Sequence, residues 1–345
     1  MHSQPNIFYA CGSSEFTQIG QAQNVTYPIE LATPNNCIKV IAGSWHTIFY
    51  SQAKPNHLSF CGCNSEGQIP GCSTETVQNL YTPQLKITNN PENVVAGDTF
   101  TLLLKEDGTI EKYGKINLPD SFSNIKKLYA KFQIVIGITN DNKILYFDGE
   151  KVTQLSIPQP ESILYATNYL ENGCSILTQD GTLYVYQDNS TDPINKFTDI
   201  ISVASTRKMA AVIASDGRAY EIRRNRLLQI TGFAGLPIRI FAGGAHFGII
   251  TYQGECWTWG CGTSGQLGTG SYSNSPIPRK VVIPKDMKIV DACAGEDNTL
   301  FSLCSLSEYS VMLPEPMKSQ PLPQSNVTTA LIDFAFNAPE FDLKF

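Results

Sequence analysis

The sequence lacks the features that mark membrane, secreted and helical proteins. Only 16% of its 345 residues are charged, and no apolar run approaches the roughly 18 residues that a membrane-spanning helix needs. The first residues, MHSQPNIFYACG, contain neither the basic stretch nor the apolar core of a secretory signal. Segments with a helical period are also missing before the C-terminal tail. We therefore expect a soluble, intracellular protein with no membrane partner.

The sequence also lacks the common metal-binding and catalytic motifs. Its ten cysteines, including Cys61-Gly-Cys63 and the pair Cys256 and Cys261, do not form two C-x-x-C units. In an intracellular protein we interpret them as reduced thiols. There is no G-x-S-x-G, H-E-x-x-H or Walker motif. We predict no metal, no cofactor and no enzyme activity.

What the sequence does contain is a repeat of short strands and turns. Its clearest copy lies at 241–270: a small-residue strand in FAGGAH, a strand GIITY, a turn at Gln253-Gly254, a strand CWTWG and a Gly-rich loop. Alanine suits the first strand because strands that converge on a narrow axis leave no room for larger side chains. Seven such strands are marked by alanines at positions 42, 96, 130, 166, 204, 242 and 294.

The stretch WGCGTSGQLGTG with its flanking AGGAH resembles the repeat of the regulator of chromosome condensation family. The resemblance implies an all-β fold, a seven-bladed β-propeller of four-stranded antiparallel blades, which we place at residues 1–309. The chain starts on a strand of the CWTWG type, and its last unit ends near Ser305. We therefore expect the strand around Ile7–Ala10 to close the ring beside Asp291–Leu303.

Two features of the repeat resemble functional sites. Gly260–Gly265 matches the G-x-G-x-x-G dinucleotide fingerprint, but the residues after it cannot begin the required helix, so we interpret it as a structural loop. His46 and His246 occupy a place where other copies have Phe100 and Asn298. We interpret both histidines as packing residues.

The copies differ in the length of one loop. Three copies that are neighbours in a ring carry the long Gly-rich loop, whereas the other four have lost about 15 residues each. The thick arc that results has two interpretations, a seat for a partner or sequence drift.

Arginine is unevenly distributed, since all seven arginines lie between residues 207 and 279 although the net charge is −6. Clustered guanidinium groups suit carboxylates or phosphates. The alternative is a solvated hairpin in which Glu221 and Arg223 point outward from one strand. The candidate partner-binding residues of this group are Arg207, Arg218, Arg223, Arg224 and Arg226.

The tail at 310–345 differs from the rest of the chain. Four prolines between 314 and 323 indicate an extended linker. Beyond it, apolar residues alternate with a period of two, as in a strand. We expect this segment to dock on its own propeller or on a partner, through Ile332, Phe334, Phe336, Phe341 and Phe345.

A propeller platform can serve several functions. We expect a non-enzymatic protein-interaction propeller that acts as a scaffold or structural subunit of an intracellular assembly, cytoplasmic and associated with the cytoskeleton. Its partner would be a protein with an acidic surface; nucleic acid is not expected. The alternative, implied by the family's namesake, is guanine-nucleotide exchange on a small GTPase with chromatin docking in the nucleus. The family's namesake has a basic N-terminal arm. The resemblance does not extend to that arm, because no Lys or Arg precedes Lys39 in this sequence.

Overall fold

The computed structural model describes residues 7–312, with the exception of residues 22, 53–55, 86, 171 and 189. This part of the chain forms 27 β-strands in seven antiparallel sheets. The innermost strands of successive sheets contact one another around a common axis. The seven predicted alanines all lie on these innermost strands. The prediction of a seven-bladed β-propeller is therefore confirmed.

The blades are numbered in chain order, and their strands are given from the axis outward. Blade 1 contains β3 (Cys37–Ala42), β4 (His46–Ser51), β5 (His57–Cys63) and β6 (Thr76–Tyr81). Blade 2 contains β7 (Val94–Ala96), β8 (Phe100–Leu104) and β9 (Ile110–Gly114). Blade 3 contains β10 (Ile125–Lys131), β11 (Ile134–Thr139), β12 (Ile144–Phe147) and β13 (Val152–Leu155). Blade 4 contains β14 (Ile163–Asn168), β15 (Gly173–Thr178), β16 (Leu183–Gln187) and β17 (Asn195–Phe197).

The remaining blades complete the ring. Blade 5 contains β18 (Ile200–Ser205), β19 (Ala210–Ala214), β20 (Ala219–Arg223) and β21 (Arg226–Gln229). Blade 6 contains β22 (Pro237–Ala242), β23 (His246–Thr251), β24 (Cys256–Gly260) and β25 (Ser275–Lys280). Blade 7 contains β26 (Met287–Ala294), β27 (Asn298–Ser305), β1 (Ile7–Gly12) and β2 (Val25–Glu30).

Blade 7 is completed by the N-terminal strand, as the sequence predicts. β1 lies between β2 and β27, and its register runs from Ile7 opposite Leu303 to Gly12 opposite Asn298. The strand buries Phe8 and Ala10 in the core. Pairing with β27, the last strand among the described residues, closes the ring and leaves neither end of it as an open sheet edge.

Burial follows the position of each strand in its blade. The second strands, such as β11 and β23, are buried at every residue because each is covered by the two neighbouring blades. Outer strands such as β25 are exposed at four of six positions. The continuous apolar run IVIGIT of β11 reflects this burial on both faces.

Blade 2 departs from the expected four strands, since within the described residues it has three. The chain after β9 returns alongside it without a ladder of main-chain hydrogen bonds, and Lys112 Nζ donates to the carbonyl of Leu118 at 2.8 Å. Leu118 and Phe122 of this segment are buried. Pro119 has no amide hydrogen to donate, which prevents regular pairing here.

A short helix, α1 (Leu306–Met312), follows β27 and passes the boundary expected at residue 309. Ser305 and Glu308 form a capping box, in which the Glu308 amide donates to Ser305 Oγ and the Ser305 amide donates to Glu308 Oε2. Buried Tyr309 donates its hydroxyl to the carbonyl of Tyr252 at 2.8 Å, which fastens the helix to blade 6. Across the part of the chain that is described, no helix has the length and apolar character to cross a membrane.

Candidate functional site

The turns that follow the inner strands surround the ring axis at one face. In two of them a glycine three residues before a histidine lets the imidazole fold back over the main chain. A Cβ on Gly43 would lie 2.5 Å from His46 Cε1, and one on Gly243 would lie 2.1 Å from His246 Cε1. Glycine is therefore required at both places.

The two histidines are fully buried and connect neighbouring blades. His46 Nε2 lies 2.9 Å from Thr101 Oγ1, and His246 Nε2 lies 2.8 Å from Thr299 Oγ1. Burial lowers the pKa of His46 to about 4. Burial, with a smaller contribution from Lys131, lowers the pKa of His246 to about 3. Neutral, enclosed imidazoles are packing residues, in agreement with the interpretation of the sequence.

Main-chain hydrogen bonds join most of these turns into a belt around the axis. Each bond runs from a turn of one blade to the turn of the next, at 2.8–3.2 Å. The belt fixes the spacing of the inner strands at this face. The bonds are Gly244 N to Gly295 O, Glu296 N to Ser44 O, Ser44 N to Gly97 O, Asp98 N to Phe132 O, and Arg207 N to Gly244 O.

Charged side chains from the same turns meet across the axis, and we call Asp98, Lys131, Phe132, Arg207 and Glu296 the axial cluster. Arg207 of blade 5 donates to Asp98 of blade 2 at 2.9 Å and to both carboxylate oxygens of Glu296 of blade 7 at 2.9–3.1 Å. Its guanidinium lies 4.1 Å from the centroid of the Phe132 ring. Lys131 of blade 3 donates to the carbonyl of Ala242 in blade 6, and burial lowers the pKa of Lys131 to about 8.

The axial cluster contains two cations and two carboxylates, so its charges offset one another. Its side chains tie together blades that are not adjacent in the ring. We interpret the cluster as a structural tie across the axis, with a net charge too small to attract a charged ligand. The sequence marked Arg207 as a candidate partner-binding residue and did not point to Asp98, Phe132 or Glu296, which it contacts within the ring.

The Gly-rich loops of blades 6, 7 and 1 share one geometry. In each, a glutamine accepts a hydrogen bond from a main-chain amide two residues earlier, at 2.9–3.0 Å. The main-chain carbonyls of Gln18 and Gln266 accept from the hydroxyls of Thr47 and Thr299 in the next blade. Gly265 has φ +87°, and a Cβ there would lie 2.5 Å from the carbonyl oxygen of Val25. The thick arc predicted from the sequence is therefore built of loops that fasten one blade to the next.

All ten cysteines are free, and burial raises the pKa of buried thiols such as Cys61 to about 12. Among the residues the structure describes, no group of three or more His, Cys, Asp or Glu side chains is arranged to hold a metal ion.

The candidate arginines are distributed over three places. Arg207 belongs to the axial cluster. Arg218 precedes β20, at the opposite end of that strand from Arg223, and lies 3.5 Å from Asp216. Arg223, Arg224 and Arg226 lie together at the turn between β20 and β21. We call residues 223–226 the arginine hairpin.

The arginine hairpin has a two-residue turn. Arg224 and Asn225 have φ values of +47° and +63°, while Arg223 and Arg226 face each other across the strands. Arg223 Nε lies 2.8 Å from Glu221 Oε1, so the outward alternation predicted for these two residues is present. The tail candidates Ile332, Phe334, Phe336, Phe341 and Phe345 lie outside the described residues.

Comparison with known proteins supports the fold and the repeat. The model of the "Regulator of chromosome condensation (RCC1) repeat" matches residues 253–302, from the β23–β24 turn to β27. The human regulator of chromosome condensation is 19% identical over 285 residues, which are 81% of this chain and 61% of that protein. The probable E3 ubiquitin-protein ligase HERC4 of Rattus norvegicus is 35% identical over 71 residues. That match covers 20% of this chain and 7% of the ligase. The chain thus spans less than two thirds of either relative.

Two solved structures have the same fold. Human WBSCR16 superposes with a TM-score of 0.70 at 15% identity, covering 88% of this chain and 99% of that chain. Prp20p of Saccharomyces cerevisiae superposes with a TM-score of 0.52 at 16% identity, covering 90% and 94%. The chain thus carries a regulator of chromosome condensation (RCC1) repeat at residues 253–302, is similar to the human regulator along most of its length, and has a seven-bladed ring like those of these solved structures.

Proposed function

We propose that the protein is a non-enzymatic interaction propeller, a scaffold subunit that binds an intracellular protein partner through its rim. The observation that carries the proposal is the opposite charge of two neighbouring blades. Residues 160–199, which include blade 4, contain six acidic residues and one lysine. Residues 200–236, which include blade 5, contain six basic residues, five of them outside the axial cluster, and two acidic residues. Two neighbouring surfaces of opposite charge steer and orient a protein partner that carries the complementary charges.

The charge at the axis and the charge at the rim have different uses. In the axial cluster, the cations and carboxylates bind each other and hold blades together. At the rim of blade 5, Arg224 and Arg226 have no carboxylate of the described residues within 4.0 Å. Charge that does not stabilise the ring is available to a partner. Such a rim supports the proposed assembly role, and we propose that the assembly is cytoplasmic and associated with the cytoskeleton.

Cross-linking mass spectrometry of the full chain with its captured partner tests the proposal. Exposed lysines report on the two charged blades: Lys196 in the outer strand β17 of blade 4, and Lys208 in the β18–β19 turn of blade 5, at the axial end of that blade. We expect partner cross-links at these lysines, in a complex that weakens as salt rises. Lys143 in the β11–β12 turn of blade 3 serves as the control. Cross-links at Lys143 alone, in a complex insensitive to salt, would contradict the proposal.

The second candidate is nucleotide exchange on a small GTPase. It is favoured by the alignment with the human regulator of chromosome condensation, which covers 81% of this chain at 19% identity. The Prp20p structure is described together with its binding to Gsp1p and histones. The test is release of labelled GDP from a small GTPase captured with the chain. Acceleration by catalytic amounts of the chain, together with a nuclear location, would favour exchange over the scaffold role.

A further inference from the structure

Two features of the arginine hairpin, the residue at its first turn position and a pair of like charges, disfavour folding of the hairpin. A two-residue turn with positive φ at both positions favours Asn-Gly or Asp-Gly, because Cβ crowds the main chain in the left-handed region. Here the first turn residue is Arg224, at φ +47°. Asn225, the second, is a residue that tolerates this conformation.

The second unfavourable feature is a pair of like charges across the two strands. Arg223 and Arg226 lie directly opposite each other in the β20–β21 register, and like charges in this position repel. One carboxylate, that of Glu221, pairs with Arg223 at 2.8 Å. Three guanidinium groups therefore share a single nearby carboxylate among the described residues. Folding of the hairpin does not account for these residues, and a ligand would.

The surroundings of the hairpin define the ligand. Leu228 lies opposite Glu221, on the outward face that carries Arg223 and Arg226, and is 47% exposed. The corresponding β16–β17 connection of blade 4 carries exposed Asp188 and Asp192 at the same face of the ring. A long polyanion such as a nucleic acid strand would meet these aspartates and be repelled. A short acidic segment would not extend to them.

We infer that the arginine hairpin, with Leu228 beside it, binds a short acidic segment of a partner protein in which an apolar residue adjoins the carboxylates. The carboxylates accept paired hydrogen bonds from the guanidinium groups, whose planar fork matches their geometry. The apolar residue covers Leu228. The inference rests on the proposed function and names the chemistry of its partner.

The test uses the full chain and a labelled peptide in which glutamate and leucine alternate. In the variant R224N/R226Q the turn gains a favoured residue and loses two charges. We expect this variant to bind the peptide about tenfold more weakly, with a shallower salt dependence, while its thermal midpoint stays equal or rises. The matched control is Arg279→Gln, an exposed arginine on β25 of blade 6 outside the arginine hairpin, which should bind normally. Leu228→Ser should weaken binding without changing the salt dependence.

Three results would overturn the inference. They are no peptide binding by the native chain, equal binding by R224N/R226Q, or a lower thermal midpoint of that variant, which would make the arginines structural. Tighter binding of a single-stranded oligonucleotide than of the peptide would overturn the choice of partner. If the captured partner still cross-links at Lys196 and Lys208 in R224N/R226Q, the hairpin assignment fails while the scaffold role stands.

Discussion

The two buried histidines should make the propeller sensitive to mild acid. An unfolded histidine has a pKa near 6.5, whereas the folded His46 and His246 have pKa values of about 4 and about 3. Below pH 6.5 the unfolded chain therefore binds protons that the folded chain does not. The free energy of unfolding falls as the pH decreases from 6.5 towards these lower values. At about pH 5 each histidine should lower it by about 2 kcal/mol relative to about pH 8.

Blade 2 shows which substitution of His46 can test this pH dependence. Blade 2 has Phe100 where blade 1 has His46, and the residue facing it in blade 3 is Val135, in the same core cluster. Blade 2 offers Thr101 to His46 at the corresponding place. The double variant H46F/T101V therefore copies a pair that the protein already uses. It removes one titrating group and its hydrogen-bond partner together, so no buried polar group is left unpaired.

Urea unfolding at about pH 8 and about pH 5, followed by tryptophan fluorescence, measures the effect. We expect the loss of stability over this interval to be about 2 kcal/mol smaller in H46F/T101V than in the native chain. Carboxylates titrate in both proteins and cancel in the comparison. His57→Phe, at a half-buried site at the start of β5, is the control. An identical pH dependence of the native chain and H46F/T101V would refute the reasoning.

Three further expectations concern the ring and the tail. Deleting residues 1–12 removes β1 and should cost several kcal/mol of a total near 5–15 kcal/mol; a melting temperature within a degree or two of the native value would mean that the ring closes differently. Arg207→Met leaves two carboxylates of the axial cluster without their cation and should destabilise the ring by about 2–3 kcal/mol, less than a fully enclosed pair, as measured by urea unfolding; an unchanged midpoint would show that the tie contributes nothing. Changing Phe334 and Phe336 to Ser should release the tail and speed hydrogen exchange across 328–345; fast exchange in the native chain, both free and in its complex, would end the docking hypothesis.

The fold could be predicted because its signals are local and repeated. Each unit carries its own small-residue strand, turn and outer strand, so weak evidence from one copy is supported by the others. The phase of the repeat, with a strand of the CWTWG type around Ile7–Ala10 and a last unit that ends near Ser305, was sufficient to predict closure. Irregular segments have no such support. The loss of the fourth strand in blade 2 depends on one short stretch with Pro119, and the capping box at Ser305 and Glu308 occurs once.

The axial cluster could not be predicted from local patterns. Arg207 lies 109 residues from Asp98 and 89 residues from Glu296, and only the closed ring brings them together. A signal was nevertheless present, because Asp98 and Glu296 each follow the glycine that ends an inner strand. Aligning the residues after those glycines would have placed both carboxylates at the axis. The arginine hairpin was easier to find, since its strands are adjacent in sequence.

The position of β1 in blade 7 has a consequence for synthesis of the chain. Its partner β27 is translated about 300 residues later, which takes about 15–60 s at 5–20 residues per second. During that interval β1 can pair with β2, but its other edge remains open while the ribosome completes the intervening blades. A nascent chain interrupted before β27 would present this edge, and the apolar side of the next blade, to other nascent chains. The topology therefore delays complete pairing of β1 until β27 has been translated.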